Sequence, residues 1–201
     1  MYVFKKVLIL YLAVFFAACC NLNVVDTTIQ GDGNITRHES SFDGFDSIVL
    51  NGIGNANIHF SNEFKVAVTT DRNIQEKITV NVIDNTMHLS QNSNLNFKPT
   101  RLEYDIYLPE LRAINTRGSG NINIDTGKSS QLEINISGVG NVNALNYEVE
   151  NIYIILSGVG NARIWANSSL NGNLSGVGDI LFKGNPTNNI RVSGIGNIRP
   201  I

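Results

Sequence analysis

Five tetrapeptides of one pattern recur along the second half of the chain, and their spacing restricts what it can fold into. They are Gly118-Ser119-Gly120-Asn121, Gly138-Val139-Gly140-Asn141, Gly158-Val159-Gly160-Asn161, Gly176-Val177-Gly178-Asp179 and Gly194-Ile195-Gly196-Asn197. The first glycine advances by 20, 20, 18 and 18 residues. An earlier copy, Gly52-Ile53-Gly54-Asn55, lies 66 residues before Gly118, and a fainter one is Gly31-Asp32-Gly33-Asn34. A period of this size marks a repeat whose single unit cannot bury its own apolar face, so that neighbouring units must bury it between them.

Each unit is wired alike. Leu132, Ile134 and Ile136 alternate with Glu133, Asn135 and Ser137 before one glycine pair, and Ile152, Ile154 and Leu156 repeat the pattern before the next. After the glycines come Val142 and Ala144, Ala162 and Ile164, Ile180 and Phe182. Alternation with β-branched residues predicts strands with one buried face. The unit therefore reads as strand, glycine bend, strand, loop. Coils of about 20 residues predict an all-β fold, a short parallel β-helix or β-roll solenoid, because propeller blades need roughly 40. The glycines should supply backbone angles closed to other residues and close approach at a corner. The Asn after each pair should stack on its counterpart, as in cross-β amide ladders, with Asp179 tolerated as an acceptor. The residue between the glycines has the opposite parity to the core. It forms either an outer apolar ridge or a small second core.

The stretch from Phe42 to Pro109 is less regular. Phe64 to Thr69 reads as a strand, and Ile78 to Val82 and Met87 to Ser90 flank Asp84-Asn85 as an inserted hairpin in the N-terminal half. Glu103 to Leu108 alternates again. At the other end Arg191, Arg199 and Pro200 discourage a further strand from adding.

The N-terminus is an address. Lys5 and Lys6 precede an apolar run from Val7 to Phe16, followed by Ala17, Ala18 and Cys19. The layout is that of a secretory signal, and the run falls short of the roughly 20 apolar residues of a membrane span. Small residues before Cys19 resemble a bacterial lipobox, with Phe16 where Leu is usual. We therefore expect a lipoprotein-type signal at 1–18, acylation of Cys19, a tether at 19–30 and one domain at 31–201. Cleavage before Cys20, plain secretion and an uncleaved N-terminal anchor are the alternatives. Loss of two lysines takes the net charge from −2 to −2 − 2 = −4. That balance gives no cationic excess for nucleic acid, and two adjacent Cys make no disulfide scaffold.

Gly31-Asp32-Gly33-Asn34, the opening from Phe42 to Val49, the recurring GxGN units and a closing Ser193 to Ile198 together resemble the head GIN domain family of auto-transporter adhesins. The resemblance implies a bacterial envelope protein with a β-solenoid fold. It carries over no active residue.

Other chemistry finds little support. The GxG strings lead into strand patterns where a dinucleotide site needs a helix. Calcium nonapeptides need a period of nine with an intervening Gly and Asp. His38, His59 and His88 lack carboxylates or cysteines at ligand spacing. The row Ser137, Ser157, Ser175, Ser193 is repeated, whereas a nucleophile is unique. Carboxylates for glycoside or lyase chemistry are sparse: Asp125, Glu133, Glu148, Glu150 and Asp179. The expectation is a non-catalytic envelope lipoprotein without cofactor or metal, outer-membrane-anchored, acting as an adhesin or binding scaffold for glycan or for envelope or host protein. A periplasmic or secreted location is the alternative. Two other functions stay open: a carbohydrate-active enzyme, and an assembly protein whose apolar stripe packs on a partner.

Overall fold

The computed structural model describes residues 28–92 and 95–201, so Cys19 and the signal region lie outside the described residues. The fold is all-β. The first part of the chain forms β1 (Thr28–Gln30), β2 (Ile35–Ser41), β3 (Ser47–Asn51), β4 (Asn55–Phe60) and β5 (Lys65–Asp71). A single helical turn, α1 (Arg72–Gln75), precedes β6 (Ile78–Ile83), β7 (Thr86–Gln91), β8 (Asn96–Lys98) and β9 (Leu102–Leu108). The repeats supply β10 (Ala113–Thr116), β11 (Ile122–Ile124), β12 (Gly127–Ile136), β13 (Val142–Leu156) and β14 (Ala162–Leu174). The chain closes with β15 (Ile180–Lys183), β16 (Thr187–Val192) and β17 (Ile198–Pro200).

One mixed sheet holds all strands but β1 and β8, which pair with each other, and it curls into a half-barrel. Its repeat portion is parallel and stacked in register. Ile134 lies between Ile114 and Ile154, and Ile122 between Ala56 and Val142. The residues between the glycines bridge in one column, Ile53 to Ser119 to Val139 to Val159 to Val177 to Ile195. The inward parity of the sequence pattern is the observed core: Leu132, Ile134, Ile136, Ile152, Ile154 and Leu156 are all buried. Each such side chain contributes roughly 1.5–3 kcal/mol by leaving water.

Three features differ from the sequence reading. First, the expected loop from the second strand of one unit to the first strand of the next is absent in the middle of the stack. β13 and β14 run on from one face into the next, and the register shifts between Ala144/Glu148 and Val149/Asn151 absorb the change from a 20- to an 18-residue period. Bulges bend a strand without ending it, so a corner needs no loop. Second, Gly31-Asp32-Gly33-Asn34 is not a member of the stacked column. It wraps the buried carboxylate of Asp71, which accepts the Gly33 and Thr100 N–H groups at 2.8 and 2.7 Å. Third, the N-terminal half contains antiparallel pairing beyond the hairpin: β5 lies between β2 and β9, antiparallel to both. The hairpin itself is present, with Asp84 and Asn85 at φ 47° and 58°.

The two glycines of a unit have different reasons. Gly158 needs no special φ. A Cβ there would fall inside the van der Waals envelope of the Gly138 carbonyl oxygen, one rung below. Gly178 needs both the close approach and φ 144°, which L side chains rarely adopt. Close approach, which admits no Cβ, is therefore what every rung imposes.

The last rung is an edge. Ile180 N–H bonds to Asn197 O and Ile201 N–H to Phe182 O, so Pro200 sits where the backbone nitrogen points away from the sheet. Proline removes that outward donor. On the neighbouring edge Asn188 Oδ1 accepts the Ile190 N–H at 3.1 Å.

Replacing Gly158 with valine should cost about 3 kcal/mol or more, as overpacking against backbone cannot be relieved by a rotamer change. Thermal unfolding of the variant checks this; an unchanged midpoint would contradict the close-approach assignment.

Candidate functional site

The repeat residues singled out in the sequence come together at one corner. Gly52, Gly118, Gly138, Gly158, Gly176 and Gly194 form one column. Gly54, Gly120, Gly140, Gly160, Gly178 and Gly196 form a second. The sheet hydrogen bonds continue through the corner: Val159 N–H donates to Gly138 O at 2.9 Å, and Gly160 N–H to Val177 O at 2.9 Å. The corner is thus a strip of parallel sheet one residue wide on each side of the apolar column.

Beside it runs the amide ladder Asn55, Asn121, Asn141, Asn161, Asp179, Asn197. Each Oδ1 accepts the backbone N–H of the next rung, at 2.9, 3.1, 2.9, 2.8 and 2.9 Å. The side-chain NH2 groups of Asn141 and Asn161 add a second bond to the same oxygens. The acceptor is what the ladder needs from every member. Asp179 supplies it without the NH2, and its carboxylate lies 3.9 Å from Arg199. The apolar column is an outer ridge: Val139, Val159, Val177 and Ile195 are 56, 50, 44 and 73% exposed. Ile53 alone of that column packs against the core.

The column ends in a cap. Gln91 Oε1 accepts the Ile53 N–H and its Nε2 donates to Ile53 O, both at 2.8 Å, so one side-chain amide replaces the missing rung. The same Nε2 donates to Tyr104 Oη. Burial pushes the Tyr104 phenol up, keeping it neutral. Gln91 is invisible to a repeat search because it copies a backbone peptide with a side chain.

A second constellation lies on the outer face of β4, β9 and β11. His59 Nδ1 is 2.8 Å from Asp125 Oδ2 and its Nε2 is 3.5 Å from Asp105 Oδ1, while Tyr107 stacks on the ring at 4.8 Å. Arg37 closes the group with a charge-assisted bond to Asp105, and Asn57 donates to Asp105 at 3.1 Å. Sequence spacing offers His59 no carboxylate at ligand distance along the chain; strand pairing brings it two, from residues 46 and 66 positions away. The imidazole lies between its carboxylates, so the three donors share no point. Among the described residues no group of three or more His, Cys, Asp or Glu is placed to hold a metal ion. Burial alone would raise the Asp105 carboxyl. The bonds from Arg37, Asn57 and His59 outweigh it and hold the group below its ordinary 3.8.

The remaining carboxylate candidates are not equivalent. Glu148 and Glu150 converge on one amide, Asn167 Nδ2, at 3.0 and 3.5 Å. Ser168 donates to Glu150, and Lys128 sits 2.7 Å from Glu148. The lysine holds Glu148 below the usual carboxylate range. Trp165 donates to Asn167 Oδ1, and Lys183 covers its ring at 3.6 Å. Asp125 is taken by His59, Asp179 by the ladder, and Glu133 stands on the rim of a cleft beside Arg112 and Tyr153. His38 and His88 lie apart, on β2 and β7.

In class, then, this is a repeat protein of stacked parallel strands that displays polar and apolar columns along one corner. The chain belongs to the family described as "Putative auto-transporter adhesin, head GIN domain", matched over residues 44–126 and 125–186. Among solved structures it is similar to a "putative adhesin" from Bacteroides fragilis, with 24% identity, a TM-score of 0.63, and 86% of this chain and 100% of that one covered. It is also similar to a "putative lipid binding protein" from Parabacteroides distasonis, with 19% identity, a TM-score of 0.50, and 87% and 99% covered. At these identities the likeness is one of fold. Among curated proteins none matches.

Two outcomes follow from this geometry. Asn141→Ala should lower stability by about 1 kcal/mol, the net value of a hydrogen bond, and Asn141→Asp, which keeps the acceptor, by less; chemical denaturation of the three proteins compares them. Because the Asp105 carboxyl is depressed on folding, its contribution is complete above the unfolded value near 3.8 and is lost as pH falls through the folded value. Asp105→Asn should therefore flatten the loss of stability between about pH 5 and pH 2, measured by denaturation across that range.

Proposed function

We propose that the chain is a non-catalytic cell-envelope lipoprotein, a short parallel β-solenoid held at the outer membrane by acyl chains on Cys19 and acting as a binding scaffold of the adhesin kind. One observation carries the reading: from Ser137 to Asn197 the serine, apolar and amide columns of the corner repeat at every rung, lie at the surface and are fixed by hydrogen bonds from rung to rung. A surface ordered before contact loses little freedom on binding. Parallel strands about 4.8 Å apart repeat the same polar and apolar groups, which suits a ligand that itself repeats, such as a glycan chain or an extended protein surface. Family membership and the name borne by the Bacteroides fragilis relative favour the same reading.

A second reading has its own support. Glu148, Glu150 and Trp165 meet at Asn167, as the acids and platform of a carbohydrate-active enzyme would. Its weakness is Glu148, held ionised by Lys128, where such chemistry needs a carboxyl raised to act as an acid. The assembly role needs only the exposed apolar column, which lies at the same corner.

Mass spectrometry of the mature protein should find Cys19 as an acylated N-terminus, and the protein without its lipid should bind on glycan or matrix-protein arrays. Silence on both arrays would leave a structural role. Reducing ends released from a polysaccharide panel, and lost on Glu148→Ala or Glu150→Ala, would establish the enzyme instead.

A further inference from the structure

The two ends of the stack are finished differently. The last rung has Pro200 and Asn188 to suppress outward donors, and the glycine column has Gln91. Strand β6 has none of these. It is the end of the sheet path, paired with β7 alone. In a two-residue hairpin the residues flanking the turn exchange both backbone bonds, and bonded pairs alternate from there. Ile83/Thr86, Asn81/His88 and Thr79/Ser90 are then the bonded pairs. The N–H and C=O groups of Ile78, Val80 and Val82 point away from β7, and among the described residues nothing pairs with them.

That edge borders two open stretches of cleft that meet at Val80. Near the helix the cleft measures about 420 Å³, and its far wall is β2 and β5, with Val66 and Val68 opposite Ile78 and Val80. Near the hairpin turn it widens to about 920 Å³ between Val80, Val82 and the aromatic group Phe42, Phe45, Phe64. Val80 belongs to both stretches. The helix-end stretch is the more apolar of the two: Ile78 and Val80 are only partly buried against the core, as is Val82 farther along, and Val66 and Val68 lie buried opposite.

The charge on this cleft is of one sign. Asp43, Asp46 and Asp84 stand at the turn end and Glu76 at the helix end, while neither stretch is lined by a Lys or Arg. Asp46 is engaged by Arg112 at 3.7 Å and by Ser47. Asp43 and Asp84 are exposed at the rim. In addition Gln75, on the helix-end wall, has a buried Oε1 that accepts from no donor among the described residues.

We propose that this cleft receives an extended segment of a partner protein, which adds as a strand to the free edge of β6. The edge would supply backbone bonds. Because strand side chains alternate between faces, every second residue of the segment would be apolar and pack beside Phe64 and the half-buried Ile78, Val80 and Val82. The carboxylates select a lysine or arginine at the segment's end, near Asp43 and Asp84. A peptide or side-chain donor would meet Gln75 Oε1. This surface is separate from the glycine corner, and the proposal stands whether or not the corner binds a ligand.

The test is selection of a displayed library of peptides of about ten residues, enough to span a strand, on the full-length protein. Enriched peptides should alternate apolar and polar residues and carry a terminal Lys or Arg. A synthetic copy of the best one should slow hydrogen exchange at the Ile78, Val80 and Val82 amides at least tenfold and leave the corner amides unchanged. The double variant Asp43→Asn, Asp84→Asn should weaken that peptide about tenfold and reduce its salt dependence. Asn is compatible with the left-handed backbone at 84, as Asn85 demonstrates. Val80→Pro, which removes an unpaired outward donor, should abolish binding while the fold, read by circular dichroism, persists. Failure of the selection, acidic or non-alternating peptides, protection elsewhere, or displacement by a free fatty acid without change at those three amides would each overturn the proposal.

Discussion

Contact between backbones governs this molecule. At the glycine corner one rung lies so near the next that neither can carry a Cβ, and the parallel hydrogen bonds pass through the bend without interruption. Everything regular about the protein depends on that contact. It holds the strands on both sides of the corner in one register, and a one-residue slip would turn the buried isoleucines to solvent and the polar residues to the core. It also pushes the residue between the glycines outward, which is why valines otherwise suited to a core are left exposed. The amide ladder follows from the same contact, since only rungs in fixed register bring each Oδ1 to the next N–H.

A stack of parallel strands has two ends, and the chain finishes each by a different device. At the start of the glycine column, the side chain of Gln91 takes the place of a peptide, anchored by Tyr104. Around it the N-terminal strands abandon parallel stacking: β5 is clasped between β2 and β9, and Asp71 is buried as an acceptor for the Gly33 and Thr100 N–H groups. At the C-terminal end the edge is kept but two of its outward positions offer no free donor, through Pro200 and through Asn188 folding back on its own strand. The N-terminal half is thus the part that departs from the repeat. It also holds His59 with its Arg37 and Asn57 neighbours, the Gln91 cap and the cleft beside β6.

How much of this could be read beforehand varies from residue to residue. Leu132, Ile134 and Ile136 declared their inward face by alternation, and the hairpin at Asp84-Asn85 declared itself by turn chemistry. The corner residues from Gly52 to Asn197 could be gathered from spacing alone. By contrast, the repeat pattern gives both glycines of a unit the same two reasons, unusual backbone angles and close approach, whereas Gly158 needs only the second, against a carbonyl from the rung below. Gly31-Asp32-Gly33-Asn34 has the letters of the repeat, but it encloses Asp71. His59 looked isolated because its carboxylates are far away along the chain and near only across strands. The convergence of Glu148 and Glu150 on Asn167 depends on a bulge whose position no short motif announces.

The division has a simple cause. A period of about 20 residues with alternating apolar positions determines by itself that strands will stack, which face they bury and which residues share the corner, because those properties are repeated and local. Whatever happens once was decided only by the tertiary structure: the cap at Gln91, the clasped β5, the grouping of Arg37, His59, Asp105 and Asp125, and the unguarded edge of β6. Such features arise where segments far apart in sequence meet, and the sequence records the residues but not the meeting.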